Sequence, residues 1–114
     1  MRKVALLLAI VLLVSAPLTV FAATNAVTIK PKLDFNGTTA TCEVTITEDK
    51  FPAYIEVTMK LMRGTICVDS WSETGNFYVH MKEYTSVTRG TYDLVIEVTV
   101  NGVKKTPVSV SNTY

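Results

Sequence analysis

The sequence is short of the residues that reaction chemistry draws on. Its 114 residues include one histidine, His80, two cysteines, Cys42 and Cys67, and one tryptophan, Trp71. A lone histidine without a cysteine cluster does not make a zinc site, so no metal or other cofactor is expected. There is no CxxC pair for redox work and no Gly-x-Ser-x-Gly elbow to present a nucleophilic serine. After the N-terminal segment no apolar pattern of period 3.6 persists, which argues against any substantial helix. Charge of one sign is lacking as well. The formal net charge is +1, and without Arg2 and Lys3 nine basic side chains face ten acidic ones, interspersed along the chain. Neither a basic patch nor an acidic tail results, so nucleic acid is not an expected partner.

What is present begins with an export pattern. Arg2 and Lys3 precede an apolar run over 4–14, Pro17 follows, and small residues stand at Ala22 and Ala23. That is the layout of a secretory signal peptide cleaved after Ala22 or Ala23. Residues 1–23 are therefore expected to be signal peptide, and 24–114 a single secreted domain. The competing reading is an uncleaved anchor, since residues 4–23 are long enough to span a bilayer. Ser15, Pro17 and Thr19 interrupt that stretch, and no charged stop follows it. No second hydrophobic run appears, so no membrane span is expected in the mature chain. In an exported chain an even cysteine count favours a disulfide, here Cys42 with Cys67; the alternative is two buried free thiols.

The rest of the chain alternates. Tyr92, Leu94, Ile96, Val98 and Val100 share one parity, while Asp93, Glu97 and Thr99 share the other. This is the pattern of a long strand with one face in a core and one in water. Asn101-Gly102 suits the positive φ angles of a type I′ turn, which would reverse the chain into a hairpin. Upstream, Ala40, Cys42, Val44 and Ile46 alternate with Thr41, Glu43, Thr45 and Thr47, directing Cys42 inward. Further strands are expected over 26–35, from Ile55 to Leu61, over 65–71, from Phe77 to Lys82, and over 103–110. Pro31 and Pro107 mark edges, because proline cannot donate to a ladder. In the strand over 65–71 both faces carry apolar residues, and a bulge near Asp69 would let Cys67 and Trp71 point to different sides. Residues 73–76 read as a turn. Seven short strands with regularly spaced turns indicate an all-β sandwich.

At Gly90-Thr91-Tyr92-Asp93-Leu94 the chain resembles the start of strand F in immunoglobulin-like and fibronectin type III-like domains. The resemblance implies that the Tyr92 hydroxyl returns to the backbone of the preceding corner. It also implies a seven-stranded antiparallel immunoglobulin-like β-sandwich. An antibody-type domain would carry its second cysteine at position 94, which is leucine here. A bridge between Cys42 and Cys67 would therefore not be the antibody staple. The mature chain is also similar to small single-domain exported proteins of Gram-positive bacteria. That likeness implies export, and the fold itself hosts too many activities to name one.

Few residues offer themselves as a site. His80 lies at the outward parity of its strand and lacks a nucleophile and an orienting acid in its pattern. Asp93 and Glu97 share a face but lie about 13 Å apart at strand rise, beyond glycosidase spacing. Asp34-Phe35-Asn36-Gly37 reads as an Asx-type turn, lacking the further ligands of a calcium loop. Trp71, Tyr78 and Tyr84 are the candidate ligand-binding residues, with Tyr54 beside them, because exposed amphipathic rings can stack on sugars or anchor a protein. The competing reading makes Trp71 the core tryptophan of the sandwich. The expected protein is thus a small secreted, non-catalytic module for extracellular binding or structure, meeting a protein or glycan partner through end loops 50–53, 73–76 and 85–89. The alternative is a carbohydrate-binding module using exposed aromatics including Trp71. A monomer or weak homo-oligomer is expected, since Pro31 and Pro107 discourage edge pairing.

Overall fold

In the computed structural model, which describes residues 27–114, the alternating segment 92–100 becomes the central strand. The elements run β1 (Thr28–Asn36), β2 (Thr39–Thr47), β3 (Tyr54–Arg63), β4 (Ile66–Asn76), β5 (Tyr78–Ser86), β6 (Thr91–Val100), β7 (Val103–Lys104) and β8 (Val108–Thr113). No helix occurs among the described residues. The signal peptide expected over 1–23 lies outside them. All neighbouring strands are antiparallel. One sheet has the order β1-β2-β5; the other has the order β4-β3-β6-β7, with β8 also pairing β6.

Each inward residue of β6 is buried: Tyr92, Leu94, Ile96, Val98 and Val100. They meet Ile55, Val57, Met59 and Leu61 of β3 within one sheet and Cys42, Val44, Ile46, Val79 and Met81 of the other. Val87 closes the core under the connection from β5 to β6. Burying one such aliphatic side chain contributes about 1.5–3 kcal/mol, so these two inner faces outweigh every surface contact of the fold.

Two expectations about strands are corrected. The strand expected over 103–110 is two strands, β7 and β8, so the count is eight and not seven. Both halves pair with β6, and the break at 105–107 contains Pro107, which has no N–H for the ladder. The turn expected over 73–76 is instead the last part of β4. Pairing with β3 continues to Tyr54 opposite Asn76, and this long-range partner overrides the local turn preference of Gly75-Asn76. The reversal falls one residue later, at Phe77.

The cysteines are also corrected: no disulfide forms, and both thiols are free. The cause is a register shift on β4. Leu61 faces Asp69, but the next β3 residue, Met62, faces Cys67, leaving Val68 as the extra residue of a bulge. Residues opposite one another share a face. Trp71, opposite buried Met59, therefore turns inward, whereas Cys67 turns outward with Met62. Cys42 points into the core from the other sheet. Its thiol pKa is pushed up to about 11, by burial first and then by the Asp69 carboxylate.

At the end of the sandwich opposite the Asn101-Gly102 turn, the Tyr92 hydroxyl donates to the Thr88 carbonyl at 2.6 Å. Arg63 braces the same corner. Its guanidinium lies 5.7 Å from the Tyr92 ring centroid and donates to Thr88 Oγ1 at 2.8 Å and to the Arg89 carbonyl at 2.9 Å. Phe35 packs between Tyr92 and Tyr114, at 5.7 and 5.6 Å.

Two tests follow from this packing. Tyr92→Phe removes a buried donor from Thr88 and should destabilise the fold by about 1 kcal/mol, read as a lower urea midpoint at unchanged slope; an unmoved midpoint would show that the bond contributes nothing. With a thiol reagent, one cysteine should react in the native protein and the second only in urea, because Cys67 is exposed and Cys42 is buried. Equal native reactivity of both, or of neither, would contradict these placements.

Candidate functional site

The corner at Phe77 and the loop 48–53 lie at the end where β1 begins. Phe77 adopts a left-handed backbone, φ 65°, which costs a side-chain-bearing residue about 1–3 kcal/mol. The chain offsets that cost with backbone bonds. Phe77 N–H donates to the Ala53 carbonyl, and the Phe77 carbonyl accepts from Glu48 N–H, both at 2.9 Å. Gly75 permits the tight approach, since a Cβ there would come within 2.7 Å of the Tyr78 carbonyl. The outcome is a Phe77 ring held beside Phe51, with centroids 5.9 Å apart and planes at 22°.

The turn after β6 fastens the same loop from the other side. Asn101 and Gly102 take φ values of 50° and 79°, the signature of a type I′ turn. Asn101 then bonds three times to the neighbouring loop. Its N–H donates to the Tyr54 carbonyl at 2.9 Å, its Oδ1 accepts from Tyr54 N–H at 2.8 Å, and its Nδ2 donates to the Pro52 carbonyl at 2.6 Å. Glu48, buried beneath, accepts the Lys50 N–H on Oε1 at 3.0 Å. A hollow of about 290 Å³ opens here between Phe51, Pro52, Val100, Val103 and the two lysines Lys50 and Lys105.

This scaffold displays apolar surface. Phe51 is 86% exposed and Val103 59%, with Tyr54 and Tyr78 exposed just behind them as the first residues of β3 and β5. The Phe51 and Phe77 rings stack on one another here outside the core, on a backbone held by the hydrogen bonds above. The sequence pattern assigned Phe77 to an inward strand position and Phe51 to an ordinary loop. The pairing of the two was not legible, since it depends on the corner shifting to residue 77.

The three aromatics singled out from sequence do not share one surface. Trp71 is half-buried against the core from β4. Tyr78 and Tyr84 are exposed on the outer face of β5, six residues apart, about 20 Å at strand rise. Tyr78 stands at the Phe77 end and Tyr84 toward the opposite one. No protein-family model matches the chain, and no curated protein is similar to it in sequence.

The remaining polar candidates are spread over the outer sheet faces. His80 Nε2 donates to Glu43 Oε2 at 2.8 Å, across β5 and β2. Lys60 pairs with Glu97 at 2.8 Å on the outer face of the other sheet. Asp93 accepts a hydrogen bond from Ser111 on β8, so Asp93 and Glu97 each answer to a different neighbour. Beside Glu97 a shallow trough of about 430 Å³ is lined with hydroxyls and carboxylates, including Glu56, Thr58, Ser72 and Thr74. Asp34 ends near Lys32 in a surface pair at 3.5 Å. Among the described residues, no three His, Cys, Asp or Glu side chains gather into a metal-binding group.

These contacts set a pH dependence. The hydrogen bond from His80 is the first cause that holds the Glu43 carboxyl below its ordinary value, with Lys82, His80 and Lys32 charges adding and desolvation opposing. The hydrogen bond from Lys60 does the same for Glu97. A carboxyl with a depressed folded pKa binds fewer protons folded than unfolded. Its stabilisation is complete above the unfolded value, about 4.3, and is lost as pH falls through the folded value. The urea midpoint should therefore drop below about pH 4.3 more in the native chain than in the double variant Glu43→Gln, Glu97→Gln. Parallel pH curves for the two would show that neither pair is coupled to folding.

Proposed function

We propose that the chain is a small secreted, non-catalytic binding module of immunoglobulin-like or fibronectin type III-like build, exported by a signal peptide over residues 1–23. The two antiparallel sheets and the Tyr92-to-Thr88 bond support that build. Two features separate it from antibody constant domains: β4 lies beside β3 and not beside β5, and no cysteine bridge crosses the core. The likeness to small exported Gram-positive proteins belongs to the same reading.

The observation that carries the binding role is the Phe51–Phe77 pair. Two apolar rings are fixed at a loop end by backbone and Asn101 hydrogen bonds, with a strained φ at Phe77, although neither ring fills the core. Exposed, ordered aromatic surface of this kind marks an interaction site. The non-catalytic part rests on His80, whose side-chain hydrogen bond among the described residues goes to the Glu43 carboxylate on an outer sheet face.

Retention on washed cell envelopes tests the binding role. The secreted chain should be retained, and Phe51→Ser or Phe77→Asn should weaken retention by about tenfold or more, the worth of burying one phenyl side chain. Asparagine is chosen because it tolerates the backbone of position 77. Retention unaffected by both variants would remove this surface from the function, and no retention at all would remove the binding role.

A further inference from the structure

The aromatic end is also the end at which the chain enters the fold. Thr28 opens β1 opposite Thr47, Thr47 faces Tyr78, and Phe77 directly precedes Tyr78. Only Thr24-Asn25-Ala26-Val27 separate that entry from Ala23, a span of at most about 14 Å when extended. The preceding segment holds the apolar run over 4–14. Until cleavage after Ala22 or Ala23, that run ties the end carrying Phe51 and Phe77 to the bilayer through the intervening residues 15–27.

The side chains at this end follow the layering of a lipid–water interface. Phe51 and Val103 project from loop and turn as bare apolar groups, with Phe77 stacked on Phe51. Tyr54 and Tyr78 sit one step back, where rings with a polar tip favour the headgroup layer. Lys50 and Lys105 flank the same hollow, and the charge of neighbouring Lys104 acts on Glu97. Of the acids in loop 48–53, Glu48 is buried and bonded to the Lys50 N–H, which leaves Asp49 as the exposed one. We infer that this end of the sandwich docks on an anionic lipid surface, with Phe51, Phe77 and Val103 entering the interface and Lys50 and Lys105 meeting lipid phosphates. The inference rests on the aromatic end being the recognition surface and names the partner for it.

Vesicle co-sedimentation tests this with the chain from Thr24 to Tyr114, which keeps every core residue named above. Vesicles of phosphatidylglycerol mixed with phosphatidylcholine should bind it, and vesicles of phosphatidylcholine alone should bind it more weakly. Phe51→Ser should weaken binding by about tenfold or more. Lys50→Glu with Lys105→Glu should abolish the preference for the anionic lipid. Ile66→Ser should leave binding unchanged, because Ile66 is 67% exposed but lies at the opposite end. Urea midpoints of the variants separate lost docking from lost folding. Absence of binding to either vesicle overturns the inference, as does an equal loss with Ile66→Ser. If vesicles are not bound but envelope retention still falls with Phe51→Ser, the lipid partner is wrong and the surface serves a protein or glycan instead.

Discussion

Strand β6 is the constraint on which the rest of the structure depends. It is hydrogen-bonded along both edges, to β3 on one side and to β7 and β8 on the other. Every second side chain from Tyr92 to Val100 is buried. A shift of one residue would turn all five to water and bring Asp93, Glu97 and Thr99 into the core, which fixes the register of the whole sheet. The positions of β3 and β4 follow from that register, and the facing sheet closes over the same side chains.

With the centre fixed, the two ends use aromatic residues in opposite ways. At one end Phe35, Tyr92 and Tyr114 stack against one another, and Arg63 and Arg89 lie over the Tyr92 and Tyr114 rings. The backbone groups of Gly90 and Tyr114 bond reciprocally, so that end is sealed. At the other end the hydrogen bonds are equally dense, yet the rings of Phe51 and Phe77 stand outside the core. The first end uses aromatic area for stability. The second uses hydrogen bonds for stability and leaves its aromatic area free.

The strands with a clean two-residue period were legible in the sequence. In β2, β3 and β6 apolar and polar side chains alternate almost throughout, with Met62 and Val95 as apolar residues on the outer parity, and burial follows that alternation. β4 was not legible in the same way. Ile66, Val68, Cys67 and Trp71 place apolar groups on both parities, and a bulge at Val68 changes parity partway along. The sequence places a bulge near Asp69 that would send Cys67 and Trp71 to different sides, and the structure sets it at Val68; its exact position is fixed by the partner strand, which a single sequence does not show. That one missing residue step decided the cysteines: without it Cys67 would share the inward face of Trp71. The site suffered for a related reason. Gly75-Asn76 has the composition of a turn, but β3 still offers pairing to Asn76, so the corner moved to Phe77 and carried its ring out beside Phe51.

Phe77 also bears on the proposal that the aromatic end is a contact surface. A corner that needs φ near 65° is met at least strain by glycine or asparagine. Phenylalanine costs about 1–3 kcal/mol more in backbone strain there. Its stack with Phe51 returns about 0.5–1.5 kcal/mol, and Phe51 itself is left largely in water. The core gains nothing from either ring, since neither belongs to it. An exposed apolar pair at a loop tip is moreover a liability for solubility. Under the proposed binding role, the benefit of the pair lies outside the folded chain, in what the two rings touch.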